Sequence, residues 1–185
     1  HFYVGWQNRR MDKLEKASRL EALAERSSHV ENVLRHAFLA DLASEVWRDD
    51  PNEPLGISNA EVDDSGYDVI LERNATIRRI QLKQAHDEKT PKKFSVRVEF
   101  ATYPGACIVV IAHTLLDLRP TSYSFYGSSL DNPMTYIEVH RTTKAPGRRT
   151  ADGKRVLRLN YRDVPFSRFK RNLSMRQLLD ELFPG

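Results

Sequence analysis

The chain has 185 residues, enough for one domain with its own hydrophobic core and no metal or disulfide staple. Hydrophobic residues make up 40% of it and charged residues 29%, a composition typical of soluble proteins. No apolar run approaches the ~20 residues that cross a bilayer, so we expect no membrane association. A single cysteine, Cys107, excludes an intrachain disulfide and favours a reducing cytoplasm.

The positive charge is concentrated in one part of the chain, residues 141–171. The net charge of the whole chain is +4, yet this basic segment holds eleven Lys and Arg against two acids, a balance of +9. A concentrated cationic segment is what counterion release from a nucleic-acid backbone requires. It also suits a solvated loop, and charge alone does not separate the two interpretations.

Helices are predicted at the start of the chain. Apolar residues at three-to-four spacing predict one helix through residues 11–24 and a second from about Ser28 to Trp47. We expect Ser28 to cap the second helix, with Glu31 three positions later as the capping-box acid.

A hairpin is predicted next, where the hydrophobic pattern changes to strand alternation. Residues 67–72 and 77–84 are predicted as strands joined by a polar turn at residues 73–76. Alternate side chains of a strand share a face, so Gln81 and Lys83 project together, and the preceding strand carries Asp68. An acid, an amide and a lysine can therefore meet on one surface.

The middle of the chain contains the strongest strand signal. The apolar run at residues 106–112 predicts a central strand buried on both faces, with Cys107 inert inside it. Residues 92–103 are ambiguous, because their apolar spacing suits either a strand or a helix packed on a sheet.

The C-terminal part is predicted as further strands and a closing helix. The predicted elements are strands at 123–127, 135–140 and 156–160, then a helix at 175–183 with a capping box of Ser174 and Gln177. Within the basic segment, Asp152-Gly153 is a turn signal, which predicts a hairpin that reaches into a nucleic-acid groove. The cations at its tip are Arg148, Arg149, Lys154 and Arg155.

The predicted hairpin surface suits phosphodiester hydrolysis. A hard cation such as Mg²⁺ prefers oxygen ligands and keeps several waters, one of which can become the nucleophile. A nearby lysine can orient that water or offset charge on the phosphate. The histidines show no paired metal spacing with cysteine, and His86 is the one nearest the constellation.

Residues 28–112 resemble the PD-(D/E)xK, or restriction-endonuclease-like, nuclease superfamily. Its motif is an acid on one strand and (D/E)-x-K on the next, here Asp68 and then Gln81-Leu-Lys83. Glutamine in place of the acid is a departure that some branches of the family share. An amide oxygen binds a cation more weakly than a carboxylate does, so the remaining acids must hold more of the charge.

The resemblance implies an α/β fold with a three-layer α-β-α core around a mixed sheet, N-terminal helices and extra C-terminal strands. Residues 1–185 then form one nuclease-like domain, with a catalytic core at 28–112 and a C-terminal extension at 113–185. The family's site residues correspond to Asp68 and Gln81, which would bind Mg²⁺, or Mn²⁺ in its place, with the backbone carbonyl of Leu82. Lys83 would assist the attacking water.

Many members also carry a glutamate on a helix before the hairpin, and Glu31 is the candidate. At about 100° per residue it lies within about 60° of positions 34, 38 and 42 on the apolar stripe, so we expect it to face the core. Glu45, on the same side of the helix, is the alternative candidate for this glutamate. Asp63 and Asp64, before the first strand of the hairpin, could reach the site, but as a loop pair they are expected to be solvated.

The predicted function is a metal-dependent endonuclease acting on DNA, double-stranded DNA being favoured, in restriction or defence. Cleavage of both strands favours a homodimer, whose two-fold axis matches the symmetry of the duplex. The alternative is a nucleic-acid-binding module that keeps the fold without catalysis. A protein-interaction domain is a third class, against which the basic segment argues only mildly.

Overall fold

The computed structural model describes residues 11–59, 66–128, 130 and 132–184. Within these residues the chain forms three α-helices, nine strands and short 3-10 helices. The elements are α1 (Lys13–Glu25), α2 (Ser27–Asp49), β1 (Gly56–Asn59), β2 (Val69–Arg73), β3 (Thr76–His86), β4 (Lys93–Arg97), β5 (Ala106–His113), β6 (Pro120–Gly127), β7 (Thr142–Arg149), β8 (Arg155–Pro165), β9 (Lys170–Leu173) and α3 (Met175–Leu182).

The largest element of the fold is a six-stranded mixed sheet with the order β1-β2-β3-β5-β6-β9. Only β3 and β5 pair in parallel, and their neighbours on either side pair in antiparallel fashion. β5 lies inside the sheet, and its residues 106–111 are all buried, which confirms the predicted central strand. Cys107 is fully buried within it, and burial raises the pKa of its thiol to about 12.

Helices α2 and α3 cover one face of this sheet, which we call the helix face. α2 buries an apolar residue every four positions, and α3 adds Leu178, Leu179 and Leu182. These side chains pack against Val69, Leu71 and Ile80 of the β2-β3 hairpin and against alternate residues of β5 and β6. Among the described residues, no helix combines the length and apolarity needed to cross a membrane.

The opposite face of the main sheet is covered by a second, three-stranded sheet with the order β4-β8-β7. We call this face of the main sheet the β face. Val96 and Val164 of the small sheet, with Phe100 and Met134, form a second core against Ile108 and Val110 of β5. In the described part of the chain this layer holds strands and 3-10 helices, so the expected α-β-α layering is wrong there. The ambiguous segment at 92–103 becomes β4 and a 3-10 helix because β8, from the C-terminal extension, supplies its strand partner.

Two local predictions were also wrong. Residues 135–140, predicted as a strand, contain the 3-10 helix Thr135–Val139. Its N-cap residue Met134 and its Ile137 are fully buried and are spaced by one 3-10 turn. Ser28 is not the N-cap of α2, because the helix begins at Ser27 directly after α1 and Arg26 takes the cap position without a side-chain hydrogen bond. The capping box at Ser174 and Gln177 is confirmed.

The β2-β3 hairpin is confirmed, with a tighter turn than predicted. Arg73 pairs with Thr76, so only Asn74 and Ala75 connect the strands. Both have positive φ, 50° and 61°, as the favoured two-residue hairpin turn requires. This turn fixes which residue of β3 lies opposite each residue of β2.

Candidate active site

Gln81 and Lys83 share the β face of the main sheet, and Asp68 lies at the adjoining edge of β3. Val69 pairs with Ile80, and both are fully buried on the helix face. Gln81 and Lys83 follow Ile80 along β3, so alternation turns both of them to the other face, where Lys83 is partly buried. Asp68 departs from the register, because its N–H donates to the Ile80 carbonyl and the preceding Tyr67 packs on the β face. Its carboxylate lies at the edge of β3 beside the Leu82 N–H. The predicted convergence of all three residues on one surface stays a prediction.

The Asp68 carboxylate lies against the backbone of β3. Its Oδ2 accepts a hydrogen bond from the Leu82 N–H at 2.6 Å, and its own N–H donates to the Ile80 carbonyl at 2.8 Å. β3 extends past the start of β2, so this carboxylate takes the place of a strand partner there. The N–H and C=O of one strand residue point to the same edge, so the Leu82 carbonyl faces the edge that Asp68 occupies.

A backbone carbonyl fixes the orientation of the Gln81 side-chain amide. Its Nε2 donates to the Gly66 carbonyl at 2.8 Å, and a flipped amide would place two oxygens in contact. Its Oε1 is buried and accepts no hydrogen bond from the described residues. A buried carbonyl oxygen left without a partner costs about 1–3 kcal/mol. A cation is one group that would satisfy it, and oxygen donors are what Mg²⁺ requires.

The turn before β2 packs closely against β4. Gly66 has φ +74°, and a Cβ at this position would lie 3.1 Å from the Phe100 Cβ and 3.4 Å from the Arg97 Cδ. Arg97 also forms an ion pair with Glu99 at 3.2 Å. The aliphatic part of the Arg97 side chain therefore lies against the turn beside the candidate site. The sequence alone did not indicate it, because this contact depends on how the β4 segment folds back over the sheet.

Glu31 does not face the core as expected; its side chain is exposed. The buried residues of α2 recur every four positions, so the buried stripe winds by about 40° at each step. Near Glu31 the stripe runs through Val30 and Leu34, which lie about 100° and 60° away on the same side of the helix. Glu45, the alternative candidate, forms a local ion pair with Arg48 at 2.8 Å.

The carboxylates near the site are few in the described part of the chain. No group of three or more His, Cys, Asp or Glu residues there is arranged to hold a metal ion. Asp63 and Asp64 lie outside the described residues. Among the described residues, the candidate donors for a cation are therefore one carboxylate, one amide oxygen and one backbone carbonyl, from Asp68, Gln81 and Leu82.

The predicted basic hairpin is confirmed. β7 and β8 pair in antiparallel fashion, and the Thr150 N–H donates to the Lys154 carbonyl at 2.7 Å across a turn in which Gly153 has φ +77°. The side chain of Arg148 lies outside the described residues. The other three cations at the tip are exposed: Arg149, Lys154 and Arg155.

β8 connects the basic hairpin to the candidate site. Tyr161 of β8 pairs with Arg97 of β4, and the tip at Lys154 is seven residues away, roughly 20 Å along the strand. Between them, the Arg158 guanidinium lies 3.6 Å from the centroid of the Tyr161 ring. Arginine and aromatic side chains therefore follow the path between the tip and the site.

Comparisons with protein-family models, with curated proteins and with solved structures gave no match.

Proposed function

We propose that the chain is a Mg²⁺-dependent endonuclease that hydrolyses phosphodiester bonds of DNA. The observation that carries the proposal is the arrangement at Gln81. A fixed, buried amide oxygen with no donor among the described residues lies there on the same face as Lys83, next to the edge of β3 that the Asp68 carboxylate binds. A carboxylate, an oriented amide oxygen and an ammonium group are the complement that metal-assisted hydrolysis needs.

Each residue then has a separate task. Asp68, the Gln81 Oε1 and the Leu82 carbonyl hold the ion, which when bound would lower the pKa of a water and offset charge on the phosphate. The Lys83 ammonium orients the attacking water and stabilises negative charge that develops on the phosphate. Because β3 pairs with β5 from Arg79 to His86, Gln81 and Lys83 keep a fixed spacing.

The chain order of the elements also supports the proposal. The sequence α2, β1, the β2-β3 hairpin, a connecting segment and core strand β5 follows the order of elements on which the resemblance to the restriction-endonuclease-like superfamily rests. A restriction or defence role and a homodimer on double-stranded DNA follow by analogy with that superfamily.

The basic hairpin supplies the grip on the substrate in this proposal. Its exposed cations neutralise backbone phosphates, and the stacked Arg158 and Tyr161 extend the same surface toward the site. Arg97, next to Gly66, is placed to meet a phosphate close to the scissile bond.

A second candidate function is a nucleic-acid-binding module without catalysis. The exposed side chain of Glu31 favours it, as does the small number of carboxylates described near Asp68. Such a module predicts salt-dependent DNA binding with no hydrolysis under any metal condition.

Plasmid cleavage tests the proposal. The wild type is incubated with Mg²⁺ or Mn²⁺ beside Asp68→Ala and Lys83→Ala, with Glu21→Ala and Lys13→Ala on α1 as matched controls at exposed positions. We expect cleavage by the wild type and both controls, none above background for Asp68→Ala, and a loss of about 100-fold or more for Lys83→Ala. Binding without cleavage by the wild type supports the non-catalytic module. Cleavage that survives both site substitutions shows that the site assignment is wrong.

A further inference from the structure

A second polar cluster lies on the helix face of β3, behind the candidate active site. β3 turns Gln84 and His86 to the face opposite Gln81 and Lys83. In the parallel register of β3 and β5, His86 pairs with His113, and their ring centroids are 6.3 Å apart. The proximity of these two histidines could not be predicted from sequence spacing, because 27 positions and a strand crossover separate them.

His113 has one ring nitrogen committed to the backbone. Its side chain is 1% exposed, and its Nδ1 lies 2.9 Å from the Thr114 carbonyl oxygen. A carbonyl only accepts hydrogen bonds, so Nδ1 carries the proton and the Nε2 of the neutral ring presents a lone pair. That Nε2 is buried and has no partner among the described residues.

His86, opposite His113, and Gln84, two positions before His86 on the same face of β3, show the same deficit. The Nδ1 of His86 and the Oε1 of Gln84 are each buried with no hydrogen-bond partner in the described part of the chain. Each buried polar atom left this way costs about 1–3 kcal/mol, so three in one cluster indicate a missing binding partner.

We propose that His86, His113 and Gln84 bind a divalent transition-metal ion of the Zn²⁺ class. Imidazole nitrogen is the donor that such ions prefer, with an amide oxygen as a weaker additional ligand. The hydrogen bond from the His113 Nδ1–H to a backbone carbonyl is the arrangement that orients metal-binding histidines in proteins. This site is independent of the proposed nuclease function.

The distance between the rings is compatible with one shared ion. With Zn–N bonds of about 2.0–2.1 Å, two imidazoles on one ion have centroids roughly 5–6 Å apart, so 6.3 Å requires only side-chain rotation. His86 is partly exposed, which gives the ion a route to the site. A single water is the rival occupant. A water molecule can donate only two hydrogen bonds, whereas the cluster has three acceptor atoms when His86 carries its proton on Nε2.

Metal titration of the full chain, free of any histidine tag, tests the proposal. After removal of metal by a chelator, Zn²⁺ and Co²⁺ binding is measured by calorimetry and by the visible spectrum of Co²⁺. We expect one ion per chain bound at this site, and affinity about tenfold or more weaker in His86→Gln and His113→Gln. Because a ligand of the native state stabilises it, Zn²⁺ should raise the Tm of the wild type and not of these variants.

Controls separate this site from other ligands. The double variant His29→Gln and His36→Gln removes two exposed histidines of α2. It should bind Zn²⁺ like the wild type. If His113→Gln fails to fold, His86→Gln at the partly exposed position gives the same readout. Equal Zn²⁺ affinity in wild type and His86→Gln, or no binding beyond that of surface histidines, overturns the proposal and leaves a water in the cluster.

Discussion

Arg78 of β3 donates from Nε to the carbonyl oxygen of Leu182, the last residue of α3, at 2.7 Å. Its Nη2 donates to the Glu181 carbonyl at 2.9 Å, and its Nη1 to the Ser128 carbonyl at 3.1 Å. The arginine is 1% exposed, so a buried cation takes up the carbonyls that the end of a helix leaves unsatisfied. α3 is thereby attached to the centre of the main sheet.

Arg78→Leu should therefore destabilise the fold by about 3 kcal/mol or more, because one buried and two partly buried carbonyls lose a charged donor at once. Urea unfolding followed by circular dichroism measures the loss. Arg79→Leu is the matched control, since Arg79 is partly exposed and lies over the Tyr103 ring on the opposite face. An equal loss in the two variants would contradict the role given to Arg78.

Ala75→Gly should stabilise the protein by about 1 kcal/mol. Ala75 has φ 61°, a left-handed conformation that is unfavourable for a residue with a Cβ and natural for glycine. Asn-Gly is also the preferred pair in this type of turn. Thermal unfolding gives the comparison, with Ala43→Gly at an exposed position of α2 as a control that should lose stability instead.

Asp49→Asn should lower stability at neutral pH and leave it unchanged in strong acid. Hydrogen bonds from Arg176, and then from Arg73, hold the pKa of Asp49 below its ordinary value. A carboxyl whose pKa is lower in the folded than in the unfolded chain stabilises the fold at pH values above its pKa in the unfolded chain, about 3.9. This stabilisation disappears as the pH falls through the pKa of the folded protein. Unfolding curves of both proteins between about pH 2 and pH 7 should converge at the acid end. Parallel curves would mean that Asp49 does not contribute in this way.

Gln81→Glu should make stability depend on divalent cations. The carboxylate loses the hydrogen bond to the Gly66 carbonyl and places an anion against it, so in chelator the variant should be less stable by about 1–3 kcal/mol. Because a carboxylate is the stronger ligand, Mg²⁺ should raise its Tm more than it raises that of the wild type.

Gln177→Glu is the matched control for this substitution. The Gln177 Oε1 accepts from the Ser174 N–H in a capping box, a task that glutamate performs equally well. Its Tm should not respond to Mg²⁺ beyond the wild-type response. If Gln81→Glu behaves in the same way, no cation binds at Gln81.

Substitution of Arg149, Lys154 and Arg155 by alanine should weaken DNA binding to a similar extent for all sequences. Each lost phosphate contact should also reduce the slope of log K against log salt by about 1. Fluorescence anisotropy at several salt concentrations measures both quantities. Lys13→Ala on α1 removes an exposed cation outside the basic segment and should change neither, whereas an unchanged slope in the triple variant would exclude the hairpin from the interface.

Sequence patterns predicted best the elements whose signal is local. The β2-β3 hairpin, the buried strand β5 and the capping box at Ser174 were all predicted from residues within a few positions of one another. The strands that cover the β face could not be predicted in this way. Residues 92–103 suit either a helix or a strand, and they form a strand because they pair with β8, about 60 positions later.

The candidate site was predicted only as far as strand alternation extends. Alternation along β3 gives the shared face of Gln81 and Lys83, whereas Asp68 lies where the β2-β3 register breaks. Glu31 was assigned to the core from an average helical angle, but the buried stripe of α2 winds around the helix. Arg97 beside Gly66 and the pairing of His86 with His113 both depend on tertiary contacts that no local pattern contains.

The two-residue turn at Asn74 and Ala75 has a consequence for how the hairpin tolerates insertions. A single residue added there can be absorbed by a shift of β3 by one position, which exchanges its faces. Gln81 and Lys83 would then point at the helices, while Gln84 and His86 would point at the small sheet. Both surfaces of β3 would be lost in one step, whereas a two-residue insertion would preserve the side to which each of these side chains points.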